Sequence, residues 1–321
     1  MKILLTIKGA KTYVPIVVDG IQWETARSGE PGKLTFTVVK DENIAFQEGN
    51  EVNLTVDDKT IFKGYVFQKS RNKDHHIKVV AYDQLRYFKN KDIYIYKDKT
   101  ASEVVAMLAK DFGLKTGTLE DTGFKIALRV EDGVTLFDIV QTALDLTIAG
   151  TKEMYVLYDD AGQITLKNIK NMQLKTVIDE ETAEDFDYTS SIDGETYNYI
   201  KLIYESNKEG KRLTAAIAKD QQHVNEWGVL QYYEKIKNET NLQARAETLL
   251  QYYNHKTRSL KVKGALGDIN VRAGCMLPVI LNLGDIVNKS YLLCERVTHI
   301  FEQGHHSMDI TFSGGDRFVG S

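Results

Sequence analysis

Imidazoles and a carboxylate gather near the C-terminal end, where His299, His305, His306 and Asp309 fall within eleven residues. Such donors suit zinc or non-haem iron, and a hairpin could bring them together. Strand alternation, however, sends the adjacent His305 and His306 to opposite faces, and paired histidines are ordinary in polar turns. No metal site is assigned on this pattern. The run Asp179 to Asp187 carries six acids in nine positions. It reads first as a solvated linker, and second as a cation site or the lining of an acidic channel. Tyr232-Tyr233 and Tyr252-Tyr253 could stack on sugars or bases, although tyrosine pairs in a β protein are mostly packing residues. Cys275 and Cys294, the only two cysteines, match neither a disulfide framework nor a metal knuckle and are expected as buried free thiols.

No catalytic or cofactor-binding residues are assigned. There is no nucleophile elbow and no His-Glu-x-x-His, and Gly29-Glu30-Pro31-Gly32-Lys33 is too short for a phosphate loop. Gly314-Gly315-Asp316-Arg317-Phe318 is similar to a diguanylate-cyclase signature, but that signature needs a hairpin inside a larger domain, and only three residues follow Phe318. Acid pairs of the glycosidase kind can be drawn almost anywhere among 45 carboxylates, so they have no specificity.

The elements that would carry these residues are mostly strands. The chain has 321 residues, 42% of them hydrophobic and 27% charged, with 17 tyrosines and only three prolines. This is ordinary globular usage at a length that implies two or three domains. Lys+Arg 41 against Asp+Glu 45 gives a net charge of −4, which disfavours a dedicated duplex-DNA binder. Met1–Lys8 has too short an apolar core for a secretory signal and reads as a first strand. Cys275–Gly284 is about half the length of a membrane span, so no membrane anchor is expected.

Ile21-Trp23-Thr25, Leu34-Phe36-Val38, Val52-Leu54-Val56 and Ile77-Val79-Ala81 alternate at period two between turn clusters, the pattern of a small barrel or sandwich. The middle changes period. Thr100-Ala101-Ser102-Glu103 is a capping box ahead of Val104, Val105, Leu108 and Phe112, with Gly113 placed to end the helix. A second helix is expected from about Thr135 to Gly150, then a hairpin around Asp159-Asp160-Ala161-Gly162. Strands return after 195, with a turn at Asn207–Gly210. A helix follows from about Thr240 to His255, and strands resume through Leu260-Val262, Leu277-Val279-Leu281, Tyr291-Leu293 and Met308-Ile310-Phe312.

One self-similarity stands out. Gly49, Val52-Asn53-Leu54, Ile61-Phe62, His75-His76 and Ile77-Lys78-Val79 have an echo in Gly274, Met276-Leu277-Pro278, Tyr291-Leu292, His305-His306 and Met308-Asp309-Ile310. Both read as glycine, strand, loop, strand, histidine-bearing turn, strand, as two related β domains would. The expected fold is therefore α+β and predominantly β, with two related small β-barrel (tube) domains and an inserted α/β domain. The boundaries are 1–92 (completed by part of 176–200), 93–175, and 176–321 with one long helix.

The order Asn198-Tyr199-Ile200-Lys201-Leu202, then Ala244-Arg245-Ala246-Glu247-Thr248-Leu249-Leu250, Gly264, Val271-Arg272-Ala273-Gly274 and the closing stretch Val297 to Ile310 resembles the hub proteins of contractile phage tails. The likeness covers essentially the whole chain and points to the XkdQ-type hubs of defective prophages and tailocins. It implies a homotrimer whose two tube domains per chain make a pseudo-six-fold ring between a six-fold tail tube and a three-fold spike. Edge strands would pair between neighbouring domains, and Gly274 would make a tight turn at the start of a tube-domain strand. The implied partners are tail tube protein, spike protein, a small peptidoglycan-binding (LysM-type) baseplate protein and the tape-measure protein, without specific nucleic-acid binding. The implied setting is the bacterial cytoplasm during assembly, then the baseplate of a phage or phage-like particle, with no enzyme activity. The alternatives are a cell-wall carbohydrate-binding module and a peptidoglycan-acting baseplate enzyme.

Overall fold

The computed structural model describes residues 1–40, 44–73, 76–206, 212–236, 241–284 and 287–314. His75, the turn at 207–210, Thr240 and the motif residues 315–318 lie outside them. The chain divides into two units. One is built from Met1–Phe186 with Lys261–Phe312, the other chiefly from Asp187–Leu260.

The first unit opens with β1 (Ile3–Lys8), β2 (Thr12–Tyr13), β3 (Val17–Ala26), β4 (Lys33–Val39), β5 (Glu51–Val56), β6 (Lys59–Arg71) and β7 (His76–Tyr82). Their alternating apolar residues all turn inward. Ile21, Trp23, Leu34, Phe36, Val38, Val52, Leu54, Val56, Ile77, Val79 and Ala81 are buried in one core with residues of β1 and β6. Burial of one face per strand is what fixes these registers, because a one-residue slip would turn every core side chain to water.

A 3-10 turn (Gln84–Lys89) leads into an α/β body. It comprises β8 (Lys91–Tyr96), α1 (Ala101–Asp111), β9 (Thr116–Leu119), β10 (Arg129–Thr135), α2 (Leu136–Thr151), β11 (Tyr155–Asp159) and β12 (Ile164–Asn168). The capping box at α1 forms in both directions: the Thr100 amide donates to Glu103 Oε2 at 2.8 Å and the Glu103 amide to Thr100 Oγ1 at 3.3 Å. Gly113, at φ +63°, terminates the helix. A second box, Thr135 with Asp138, starts α2. Val104, Val105 and Leu108 of α1 pack with Leu136, Ile139, Val140, Ala143 and Leu144 of α2 over Ile164 and Leu166 of the hairpin.

β13 (Ile178–Asp179) follows, and the second unit begins within β14 (Asp185–Ser191). It holds β15 (Tyr199–Ser206), β16 (Arg212–Lys219), α3 (Gln221–Trp227), β17 (Gln231–Ile236) and α4 (Leu242–Tyr253). Its three-stranded sheet runs β16-β15-β17, and α4 lays Leu242 and Ala246 on Ile200, Leu202, Ala216 and Ala218. The helix expected at 240–255 is α4. The short α3 has no buried residue and rests on its Asp220 cap, so hydrophobic periodicity gave no sign of it.

The chain ends in β18 (Thr257–Leu266), β19 (Met276–Asn282), β20 (Val287–Glu302) and β21 (His305–Gly314). The principal sheet runs β14-β18-β21-β20-β3-β4-β7-β6-β5-β1-β2, with β19 on β20 and β13 on β19. Read in the same direction along the sheet, β3-β4-β7-β6-β5-β1 and β14-β18-β21-β20-β19-β13 are the same permutation of strands. The protein is thus predominantly β, with two halves of one design. The halves differ where β1 runs antiparallel to β5 while β13 runs parallel to β19.

The repeat extends to single hydrogen bonds. Gly49, at φ +86°, donates to Val66 O at 2.8 Å, and Val66 N donates to Asn50 O at 2.9 Å. Gly274, at φ +92°, donates to Cys294 O at 2.8 Å, and Cys294 N donates to Cys275 O at 2.9 Å. Each glycine sits in the left-handed region just ahead of a strand, where an L side chain would be strained. Val66 and Cys294 are therefore equivalent positions.

Candidate assembly surfaces

The two β halves meet along β3 and β20. Ile21 to Ala26 pairs antiparallel with Phe301 to Arg296, and Trp23 lies opposite His299. The rings of Trp23 and His299 stack at 4.6 Å, and Phe301 stacks on His306 at 4.3 Å. Ion pairs flank this line: Arg27 Nε to Glu295 Oε2 and Arg296 Nη2 to Glu30 Oε1, each at 2.7 Å. The buried Thr25 hydroxyl accepts from the Ala273 amide at 3.0 Å.

His299 is fully buried, and its Nε2 lies 2.9 Å from Val271 O. A carbonyl only accepts, so Nε2 carries the proton and Nδ1 accepts from His306 Nε2 at 2.9 Å. Burial, then the neighbouring His306 and Arg272, hold the His299 pKa down to about 3, with Asp268 opposing. Burial lowers His306 as well. Both rings are neutral in the folded protein, whereas in the unfolded chain they protonate near 6.5. The unfolded state then binds more protons as pH falls below 6.5, and native stability declines toward pH 3. The His299 contribution alone amounts to about 2 kcal/mol by pH 5. Denaturant midpoints between pH 7 and 5 should fall for the native sequence and fall less for His299→Gln; parallel curves would refute this.

The metal-ligand pattern separates in space. His299 and His306 meet, His305 is exposed, and Asp309 Oδ1 accepts from the Gly264 amide at 3.0 Å. Among the described residues no group of three or more His, Cys, Asp or Glu could hold an ion. Cys275 and Cys294 are buried free thiols. Tyr232 and Tyr253 stack at 5.6 Å and meet Tyr197 edge-on, a packing cluster within the second unit. In the acidic run, Asp179 Oδ1 accepts from Thr182 N at 2.9 Å and from Glu181 N at 3.1 Å, closing a turn. Glu180, Glu181, Glu184, Asp185 and Asp187 are exposed, the last two on β14.

Two features escape a linear reading. Asp83 and Asp159 are both buried, with their carboxyl pKa values raised by desolvation and, for Asp83, by the charge of Asp159. Asp83 accepts from the Gly32 amide (2.8 Å) and the Leu85 amide (3.0 Å), while Asp159 accepts from Gln84 Nε2 (2.9 Å) and Gly162 N (2.6 Å). Arg272 supplies the nearby cation. Its guanidinium lies 3.8 Å from the Tyr158 ring centroid, and Nη2 donates to Asp159 O at 2.9 Å. The second feature is an apolar outer face on the ribbon of β8 and β10, where Ile93, Ile95, Val130 and Leu128 just before β10 are 59–66% exposed and Val130 lies opposite Ile95. The signal for it was present in Ile93-Tyr94-Ile95-Tyr96, a strand apolar on both faces.

This architecture is that of phage tail and baseplate proteins. The 43 kDa tail protein of prophage MuSo2 from Shewanella oneidensis superposes with a TM-score of 0.72 over 97% of this chain and 98% of its own, at 13% identity. The chain belongs to the YQBQ-like family, whose model matches residues 21–313. It is 28% identical to the phage-like element PBSX protein XkdQ of Bacillus subtilis (strain 168) over 319 residues, covering 96% of this chain and 95% of the relative. The E. coli c3393 protein, a component of the type VI secretion system described as structurally similar to the T4 tail proteins gp27 and gp5, shares the fold at TM-score 0.56 and 12% identity, covering 98% of this chain and 78% of that one.

Proposed function

We propose that this protein is the structural hub of a contractile-tail baseplate, a trimeric symmetry adaptor joining a six-fold tail tube to a three-fold spike. The observation that carries the reading is the repeated strand order within one chain. Two quasi-equivalent β halves stand side by side through β3 and β20, so three chains can present six similar units on one side and three on the other. The tube domains are residues 1–92 and 176–321, with the α/β body at 93–175 between them. The likeness to a protein compared with both gp27 and gp5 supports a partner of the spike kind.

In this reading the role is non-catalytic. The partners are tail tube protein, spike, a small LysM-type peptidoglycan-binding protein and the tape-measure protein passing through the lumen. The exposed apolar ribbon of β8 and β10 belongs to the body that faces other baseplate proteins. Assembly takes place in the bacterial cytoplasm, before the particle is complete. Light scattering over a wide concentration range, alone and with the co-expressed spike, should give three copies of the chain per complex. A single copy under both conditions would overturn the hub, and saturable binding to wall glycan by a monomer would favour the binding-module alternative.

A further inference from the structure

The three-stranded sheet of the second unit has one face under α4 and one face without it. Ile200 and Leu202 of the central strand β15 point to α4. Alternation puts Tyr199, Lys201 and Ile203 on the other face. Register then sets their neighbours. Lys219 of β16 lies opposite Tyr199, and Ile217 opposite Lys201. On the other flank Tyr233 of β17 lies opposite Lys201, and Lys235 opposite Ile203. Ile203 is buried and Tyr199 and Lys201 are half-buried, while Lys219 and Lys235 on the flanking strands are exposed, as are Ile217 at 42% and Tyr233 at 50%.

These positions form three parallel diagonals. Lys219, Lys201 and Lys235 make the middle one, crossing from β16 through β15 to β17. Neighbours along it are about 7–8 Å apart. Tyr199 and Tyr233 make the diagonal on one side, and Ile217 and Ile203 the diagonal on the other. Among the described residues none of the three lysines makes an ion pair or a hydrogen bond, and no described side chain on this face is acidic. Residues 187–260 hold ten acidic and ten basic side chains, so the positive charge is segregated within a neutral unit. Glu234, on the α4 side of β17, is paired with Arg245 at 2.8 Å.

A row of cations beside a parallel row of aromatic rings matches a chain of regularly spaced anions that carries flat apolar groups. A carboxylate-rich peptide offers the anions without the stacking partners. A duplex offers phosphates, but its bases are already stacked on one another. We infer that this face binds single-stranded nucleic acid without sequence preference, its phosphates along Lys219, Lys201 and Lys235 and successive bases on Tyr199 and Tyr233. The assignment stands on the second unit alone and does not depend on the hub reading.

Fluorescence anisotropy of the full-length chain with a labelled oligothymidylate of about 20 nucleotides tests it. Log affinity should fall against log salt with a slope of about −2, three phosphates at about −0.7 each. Lys219→Gln and Lys235→Gln should each make that slope shallower by about 0.7. Tyr233→Ala should weaken binding roughly tenfold at fixed salt, and Tyr233→Phe should stay within about twofold of the native sequence. All three side chains are exposed on the flanking strands, and circular dichroism checks the fold of each variant. Absence of binding at about 50 mM salt would overturn the assignment. Equal affinity for a duplex of the same length, or a slope unmoved by the lysine changes, would overturn it as well. Tighter binding of polyglutamate than of the oligonucleotide would also overturn it, and would give the face to an acidic protein segment.

Discussion

Arg272→Met is expected to destabilise the first unit by about 3–5 kcal/mol, because it removes the cation beside two buried carboxylates. Methionine fills much of the same volume, so the loss reports charge more than a cavity. Asp83 and Asp159 would keep their amide donors but face each other without compensation, and both carboxyl groups would titrate higher still. Their folded pKa values are raised above the unfolded ones. The pair's contribution is thus fully favourable below about pH 4 and is lost as pH rises through the folded values. The deficit of Arg272→Met should accordingly be largest at pH 8 and shrink on acidification. Lysine should rescue only in part, since an ammonium cannot reproduce the planar contact with Tyr158. Chemical denaturation at several pH values measures this, and a deficit independent of pH would show that the carboxylates are not its source.

Trp23→Ala should cost about 3–5 kcal/mol, the usual loss for a buried indole, concentrated at the joint between the β halves. Trp23 is 4% exposed and covers the face of His299. Its removal admits water to the imidazole and returns the His299 pKa toward 6.5, so the acid sensitivity of the native protein should flatten as well. Only one other tryptophan exists, Trp227, stacked on His223 in the second unit. Fluorescence of Trp227→Phe therefore follows the first unit alone, and that of Trp23→Ala follows the second. An unchanged midpoint for the first unit, followed by circular dichroism, would refute the proposed weight of the joint.

What could be read from the residues was whatever is local. Alternation placed the core faces of β3, β4, β5 and β7, because each such strand buries one side. The Thr100–Glu103 box located α1, since its bonds span three residues. The echo between the Gly49 and Gly274 regions was visible because a left-handed turn before a strand requires the same residue twice. What stayed hidden depends on distance along the chain. Nothing near Trp23 announces His299 as its neighbour, and Asp83, Asp159 and Arg272 become a cluster only after three segments fold together. The metal-like grouping at 299–309 was the reverse case, close in sequence and divided in space by the strand pleat.

The pairing of β3 with β20 has a consequence during synthesis. Residues 21–26 leave the ribosome well ahead of their partners at 296–301, which lie far downstream in the chain. At usual translation speeds the interval is on the order of tens of seconds. Throughout it the nascent N-terminal half carries an unsatisfied strand edge while other copies are being made nearby. Closure of the joint is consequently late and governed by a contact of very high sequence separation, the slow kind to form. Expression yield should respond to elongation rate and to chaperone supply more than to the final stability of the folded chain.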